Sequence, residues 1–159
     1  TLRKRPVSMM EVVHEALEVV DSLMRERRHR ISLQSSDALF VIGDATRLVQ
    51  CVANLLTNAA KYTDPDGEIR IQVRRQADFA CVSVTDNGAG IPADLLPRVF
   101  DLFVQSDRTL DRAEGGLGIG LSVVKRLIEM HRGSVSARSD GPGCGASFEI
   151  RLPVAAVRC

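Results

Sequence analysis

The stretch from residue 45 to residue 62 constrains the fold most, because its apolar residues recur at helical spacing. These residues are Leu48, Val49, Val52, Leu55, Leu56 and Ala59. At about 100° per residue, the polar residues gather on the opposite face; they are Arg47, Gln50, Asn54, Asn58 and Lys61. The sequence therefore predicts an amphipathic helix over 45–62, preceded by a strand that ends at Gly43-Asp44.

The remaining elements mix helices with strands, and short turns join neighbouring strands. The periodicity predicts a helix over 8–28 with Ser8 as its N-cap and a second long helix over 119–131. It further predicts strands at 31–34, 39–42, 68–75, 80–85, 134–138 and 146–152, a short helix at 93–98 and a mobile loop at 104–118. This order predicts an α/β fold, a two-layer sandwich of a mixed β-sheet with about three main helices on one face.

Composition limits the classes of partner. The chain has 159 residues, 45% of them hydrophobic, which suits one domain with its own core. The formal net charge of +1 predicts no nucleic-acid partner and no direct membrane contact. No apolar run is long enough to span a bilayer, and Cys51 and Cys81 lie in apolar runs as expected of reduced core residues. We therefore expect a cytoplasmic domain, although a longer parent protein could be anchored in a membrane.

The polar face of the 45–62 helix is a candidate metal site. Asn54 and Asn58 lie one turn apart, and Lys61 follows on the same face. Two amide oxygens beside a cation could help to hold Mg²⁺ with phosphate, because Mg²⁺ prefers oxygen ligands and keeps several waters. Taken alone, the pattern favours an ordinary solvated helix face.

A second candidate site follows the strand at 80–85. Asp86 is followed by Gly88 and Gly90, and glycines allow a backbone to approach a flat ligand closely. A carboxylate there could accept a hydrogen bond from the amine of adenine, whereas guanine presents a carbonyl at that edge. The alternative is an ordinary Asx-Gly turn at the end of a strand.

A third glycine-rich segment, 115–122, opens the predicted helix at 119–131. Backbone N–H groups at a helix N-terminus favour phosphate, although a flexible hinge is the alternative. Two familiar phosphate motifs do not match, because Val123 stands where the dinucleotide fingerprint needs glycine and Leu121 where the P-loop needs lysine. Between the two glycine segments, Phe100 and Phe103 predict either an aromatic latch or a plain core contact.

These segments, in this order, resemble the catalytic ATP-binding domain of sensor histidine kinases, a Bergerat-type fold shared with gyrase-like ATPases. The matching segments are 54–63 (the N box), 86–92 (the first G box), 99–103 (the F box) and 116–121 (the second G box). The resemblance covers residues 6–153 and continues through the segments 124–133 and 145–153. Each box alone is weak evidence for this family, but the four boxes in this order are specific to it.

The resemblance implies ATP and Mg²⁺ as cofactors and a role for each matching residue. Asn58 would be the main Mg²⁺ ligand with Asn54 assisting, Lys61 would approach the phosphates, and Tyr62 would pack near the adenine. Asp86 would bind the adenine amine. The pocket and lid would be completed by Gly88, Gly90, Ile91, Arg108, Gly116, Leu117, Gly118, Gly120, Leu121 and Ser147, the last at the base of the pocket.

Position 54 separates this chain from its hydrolytic relatives. Gyrase-like ATPases carry a glutamate there that activates water, and an asparagine cannot act as a general base. The resemblance therefore implies a protein-histidine kinase domain that donates the γ-phosphate. The alternatives are a degenerate nucleotide-binding or regulatory interaction module and, less favoured, a gyrase-like ATPase.

No histidine of the chain has the context of a phosphate acceptor. His14-Glu15 lacks the basic residue and proline of the family motif, and His29 and His131 have no nucleophile context. We therefore expect the acceptor to lie on a separate dimerisation and phosphotransfer domain of the same parent, with a response regulator receiver domain downstream. The domain itself would be a monomer, with residues 1–28 as a linker helix, 29–153 as the catalytic domain and 154–159 as a tail.

Overall fold

The computed structural model describes residues 2–35, 38–101 and 117–155, with the side chains of 117–119 left aside. Its helices are α1 (Met9–Glu26), α2 (Ala45–Tyr62) and α3 (Leu117–Met130), with a single 3₁₀ turn at Leu96–Arg98. Its strands are β1 (Arg5–Ser8), β2 (Arg30–Ser35), β3 (Phe40–Gly43), β4 (Glu68–Gln76), β5 (Phe79–Asp86), β6 (Ser134–Arg138) and β7 (Ala146–Pro153).

The main sheet has five strands in the order β2-β4-β5-β7-β6. Its first pair, β2 with β4, is parallel, and the other three pairs are antiparallel. A separate antiparallel pair joins β1 to β3. The sheet is therefore mixed, as the sequence predicted, with β5 at its centre.

The helices and one face of the sheet share a single core. Alternate residues of β4 (Ile69, Ile71 and Val73) are fully buried, because a strand presents every second side chain to the same face. They pack in one cluster with the apolar faces of the three helices. On the other face the side chains are polar, and there Arg74 forms an ion pair of 2.8 Å with Glu149. This confirms the predicted two-layer sandwich.

Side-chain caps fix where the first two helices begin. The Ser8 hydroxyl accepts the N–H of Glu11 at 3.4 Å, and the Asp44 carboxylate accepts the N–H of Arg47 at 3.3 Å. Both bonds satisfy N–H groups that a helix N-terminus leaves without an internal partner. α2 begins and ends at the predicted residues, and α1 is slightly shorter than predicted.

Three local predictions differ from the structure. β1 was not predicted, and its four residues pair with β3. The short helix predicted at 93–98 is only the 3₁₀ turn at Leu96–Arg98, which has a proline near its start and buries none of its residues. α3 begins at Leu117, two residues earlier than predicted, and the rest of the predicted loop at 104–116 lies outside the described residues.

The N-terminal helix is part of the same core. Val12, Val13 and Ala16 of α1 are at most 1% exposed and belong to the cluster that contains α2 and the sheet. At the other end, Val154 forms a β-bridge with Val41, and the Ala155 N–H donates to the Phe40 carbonyl at 2.7 Å. The boundaries proposed at residues 28 and 153 remain predictions.

Two of the cysteines are buried and unoxidised. Cys51 and Cys81 are free and buried. The core prediction is confirmed for Cys51, whereas Cys81 alternates with Ala80 and Val82 and so lies on the opposite face of the sheet, beside Arg74. Burial raises the pKa of the Cys51 thiol to about 12, so the group stays neutral. Among the described helices, none combines the length and apolar character that a bilayer crossing requires.

Candidate functional site

The polar face of α2 carries a buried asparagine. Asn58 is only 6% exposed, and its side-chain oxygen is buried with no hydrogen-bond partner in the described part of the chain. One turn earlier, the Asn54 amide nitrogen donates to the Gly120 carbonyl at 3.4 Å. The middle of this face, at Asn54 and Asn58, is therefore covered by the start of α3, while Gln50 and Lys61 stay exposed. The covered part holds one acceptor oxygen that has no partner among the described residues.

Asp86 ends the central strand β5 and is 8% exposed. Its carboxylate accepts the Gly88 N–H at 2.9 Å. Burial raises the pKa of Asp86 above its ordinary value, while the N–H groups of Gly88 and Ala146 and the charge of His29 partly oppose that rise. A buried carboxylate that keeps acceptor capacity is suited to a ligand that donates hydrogen bonds.

The loop after Asp86 rests on the last residue of α2. The Ala89 N–H donates to the Tyr62 carbonyl at 2.8 Å. A β-carbon at Gly88 would overlap that same carbonyl oxygen, so only glycine allows the approach. The two candidate segments of the sequence are thus joined directly through Tyr62.

A glycine-rich turn from residue 141 to residue 145 supports this loop from the other side. Gly143 and Gly145 donate their N–H groups to the carbonyls of Ala89 and Gly88 at 2.7 and 3.1 Å. Gly90 has a φ of 75° and lies against the Gly141 carbonyl, so it also requires the absence of a side chain. The wall that carries Asp86 is therefore held by backbone contacts on two sides.

Ser139 was missed by the sequence reasoning. Its hydroxyl accepts the N–H of Ile91 at 2.9 Å and donates to the Gly145 carbonyl at 2.7 Å. It thereby ties the segment between β6 and β7 to the loop after β5. A lone serine 48 residues away from its partner gives no signal in a single sequence.

The start of α3 forms the remaining described side of the site. A β-carbon at Gly120 would meet no described atom within 4 Å, whereas the neighbouring Leu121 is buried in the core. Leu117 and Gly118 belong to the first turn of α3. Arg108 and Gly116 lie outside the described residues, so their expected roles stay predictions.

The end of α2 also carries Lys61 and Tyr62. Lys61 is exposed and Tyr62 is half-buried, at the point where α2 meets the loop after Asp86. Ile91, at 8% exposure, lies on the same loop. The structure therefore brings these residues to the Asp86 end of the site.

Ser147 does not lie where it was expected. Residues Thr85 and Ser147 are register partners, and their hydroxyl oxygens are 2.9 Å apart. Asp86 is the partner of Ala146, and consecutive residues of a strand face opposite sides of the sheet. The Ser147 side chain is thus on the other face from Asp86, which contradicts its expected place at the base of the pocket.

Phe100, from the predicted aromatic segment, makes a core contact. Its ring packs edge-on against Phe148, with centroids 6.0 Å apart and planes at 89°. Phe103 lies outside the described residues. Of the two interpretations of Phe100, the structure supports the plain packing contact.

Replacing Gly88 with alanine tests the close approach to Tyr62. We expect the free energy of unfolding to fall by about 2 kcal/mol, because the new β-carbon must displace backbone. Thermal or denaturant unfolding measures the change. Gly120→Ala is the matched control, since its β-carbon would meet nothing within 4 Å and alanine favours a helix. Equal stability of Gly88→Ala and the unaltered protein would contradict the described contact.

Comparison with known proteins places this site in a family. A sequence model of the histidine kinase-, DNA gyrase B- and HSP90-like ATPases matches residues 43–156. The chain belongs to this family. Within it, the chain is similar to the circadian input-output histidine kinase CikA of Synechococcus elongatus, with 34% identity over 96% of this chain and 20% of that protein.

Solved structures give the same assignment. A mycobacterial sensor histidine kinase, MprB, has 30% identity and a TM-score of 0.81, with 97% of this chain and 99% of that one covered. Full-length ShkA in complex with AMPPNP has 27% identity and a TM-score of 0.85, covering all of this chain and 33% of that one.

The chain is therefore the catalytic ATP-binding domain of a sensor histidine kinase, and it has the α/β fold of that family. Membership of the family supports its use of ATP. The chain spans between 9% and 35% of the length of the curated relatives that it matches.

Proposed function

We propose that this chain binds ATP with Mg²⁺ and donates the γ-phosphate to a histidine on a separate dimerisation domain of its parent protein. One observation carries the proposal. A buried carboxylate at Asp86 and a buried, unpaired amide oxygen at Asn58 lie on two elements that meet through the Tyr62–Ala89 hydrogen bond. One group suits the base of a nucleotide, and the other suits the cation that accompanies its phosphates.

Asp86 would select adenine. The exocyclic amine of adenine donates a hydrogen bond that a carboxylate accepts, whereas guanine would place a carbonyl oxygen against the same carboxylate. Gly88 and Gly90 let the loop lie against the carbonyls of Tyr62 and Gly141, because a β-carbon at either glycine would overlap those oxygens. Tyr62 is half-buried beside the loop and would pack near the ring.

Asn58 fits the expected Mg²⁺. Its unpaired buried oxygen is the kind of ligand that Mg²⁺ uses, and one or two protein ligands are enough. The bound cation would neutralise charge on the phosphates during transfer. Asn54 would assist, Lys61 would approach the phosphates, and Arg108, Gly116, Gly118 and Gly120 would close over the triphosphate.

Asn54 argues against hydrolysis as the main activity. Its amide nitrogen is committed to the Gly120 carbonyl, and an amide has no basic site to accept a proton from water. The catalytic work of this chain would therefore be placement and charge neutralisation for in-line transfer to an imidazole. A gyrase-like ATPase is the weaker alternative for this reason.

The histidines of the chain support a separate acceptor. His14 lacks the basic residue and the proline of the acceptor motif, while His29 and His131 both contact backbone groups through their ring nitrogens. The proposed downstream partner is a response regulator receiver domain. The proposed compartment is the cytoplasm.

Transfer to a supplied acceptor tests the proposed function. Radiolabelled ATP, Mg²⁺ and this chain are incubated with the acceptor domain of the parent protein. We expect acid-labile label on that domain and little release of inorganic phosphate by this chain alone. Binding of nucleotide without any transfer would support the regulatory-module alternative, and robust turnover without an acceptor would support the ATPase alternative.

The raised pKa of Asp86 predicts how nucleotide affinity depends on pH. The charged carboxylate of Asp86 can accept a hydrogen bond from the adenine amine, whereas a protonated carboxyl group carries a proton that competes with it. Nucleotide affinity should therefore fall on acidification. Because the pKa of Asp86 is raised, the fall should occur at a higher pH than it would for an ordinary aspartate. Because the pKa of Asp86 is higher in the folded state than in the unfolded state, its protonation stabilises the unliganded fold at low pH. This contribution is lost as the pH rises through the pKa of Asp86 in the folded state. Loss of binding would therefore precede unfolding. Calorimetric titration between pH 4 and 8 measures the profile, and a flat profile would contradict the assignment.

A further inference from the structure

Two basic side chains contact the carbonyl of Thr63, the residue that follows α2. Arg27 donates through Nη2 to the Thr63 carbonyl at 2.7 Å. His29 Nε2 is 3.1 Å from that oxygen and 3.1 Å from the Asp64 carbonyl. Because carbonyl oxygens only accept, His29 Nε2 must carry a hydrogen and act as the donor to both.

These two carbonyls lie directly after the end of α2. The last carbonyls of a helix have no internal N–H to accept, and Thr63 continues in an extended conformation with φ −106° and ψ 131°. No glycine turns the chain there to supply capping bonds. Arg27 and His29, which lie between α1 and β2, instead bind the carbonyls of the two residues that follow α2.

The braced residues adjoin the adenine end of the proposed site. The Tyr62 carbonyl, one residue before Thr63, accepts the Ala89 N–H and is the atom that a side chain at Gly88 would strike. The charge of His29 also contributes to lowering the pKa of Asp86, so its ring is electrostatically coupled to that carboxylate. A shift of the α2 terminus would therefore move the loop that carries Gly88 and Gly90.

The cluster is not arranged for stability alone. Arg27 Nε, His29 Nδ1 and Thr63 Oγ1 are all buried without a hydrogen-bond partner among the described residues. Burying an unpaired polar atom destabilises a fold. The cluster keeps this disadvantage while it binds the carbonyls of Thr63 and Asp64, which points to a role in positioning.

We propose that Arg27 and His29 are positioning residues for nucleotide binding, which brace the end of α2 and so hold the Gly88–Gly90 loop in place. Neither residue lies in the four sequence boxes. The inference rests on the proposed function, since it assigns these residues to the adenine end of that same site.

Three substitutions at one position test the proposal. His29→Gln keeps an N–H donor at about the reach of Nε2, His29→Asn is too short, and His29→Ala has no donor. Titration calorimetry with ADP and Mg²⁺ should give a dissociation constant about tenfold higher for the alanine and asparagine variants. The glutamine variant should recover most of the affinity.

Amide hydrogen exchange of the unliganded protein provides a second readout. Exchange at Ala89 should accelerate in the alanine and asparagine variants and return toward the original rate in the glutamine variant. Unchanged ADP affinity in His29→Ala, or a loss that His29→Gln does not restore, would overturn the proposal. If the original protein bound no ADP, the proposed function would fail, whereas Ala89 exchange would still test the brace by itself.

Discussion

Replacing Asn58 with alanine is expected to lower the rate of phosphotransfer roughly 100-fold or more, because it removes the proposed main protein ligand for Mg²⁺. The unpaired amide oxygen is buried on α2 and has no structural partner in the described residues. Its removal should therefore change the stability of the unliganded protein little. Transfer of label to the acceptor domain over a range of Mg²⁺ concentrations measures the effect.

Gln50→Ala is the matched control for this substitution. Gln50 lies on the same helix, two turns before Asn58, and is exposed. The control should transfer phosphate at the original rate. Near-normal transfer by Asn58→Ala would contradict the assignment of this oxygen to the cation, and so would an equal loss in the control.

Asp86→Asn should weaken ATP and ADP binding roughly 10- to 100-fold, the range expected when a hydrogen bond to a charged group is lost. Backbone N–H groups of Gly88 and Ala146 both interact with this carboxylate. Asparagine offers only one oxygen, so its amide nitrogen must face either a backbone donor or the adenine amine. The substitution should also remove the pH dependence of affinity that the raised pKa produces.

Asp78→Asn removes the same charge next to the opposite end of β5, away from the site. Its side chain is 97% exposed at the turn between β4 and β5. We expect no change in affinity for this control. If Asp86→Asn binds ADP as tightly as the control does, the carboxylate is not the adenine acceptor.

The parts of the fold that were predictable have strong local signals. α2 has apolar residues at helical spacing and Asp44 as its cap, and both of its ends were predicted correctly. In β4, the alternation of apolar and polar residues likewise predicted which face of the strand is buried in the core. Such patterns depend on neighbours a few residues apart, so a single sequence carries them in full.

The parts that failed depend on contacts between distant segments. β1 is only four residues long and forms because β3 is there to pair with it. The face on which Ser147 lies follows from its register with Thr85, which sequence spacing does not reveal. His29 had no visible role because its partners are 34 and 35 residues away.

Titration of this chain with ATP or AMPPNP tests the central claim most directly, with and without Mg²⁺ and with GTP as a comparison. Isothermal calorimetry should show one binding site per chain, an affinity for the adenine nucleotide in the millimolar range or tighter, and weaker binding of GTP. Chelation of Mg²⁺ should weaken the binding of ATP. No heat of binding at millimolar ATP with Mg²⁺ would contradict the account, as would equal affinities for ATP and GTP.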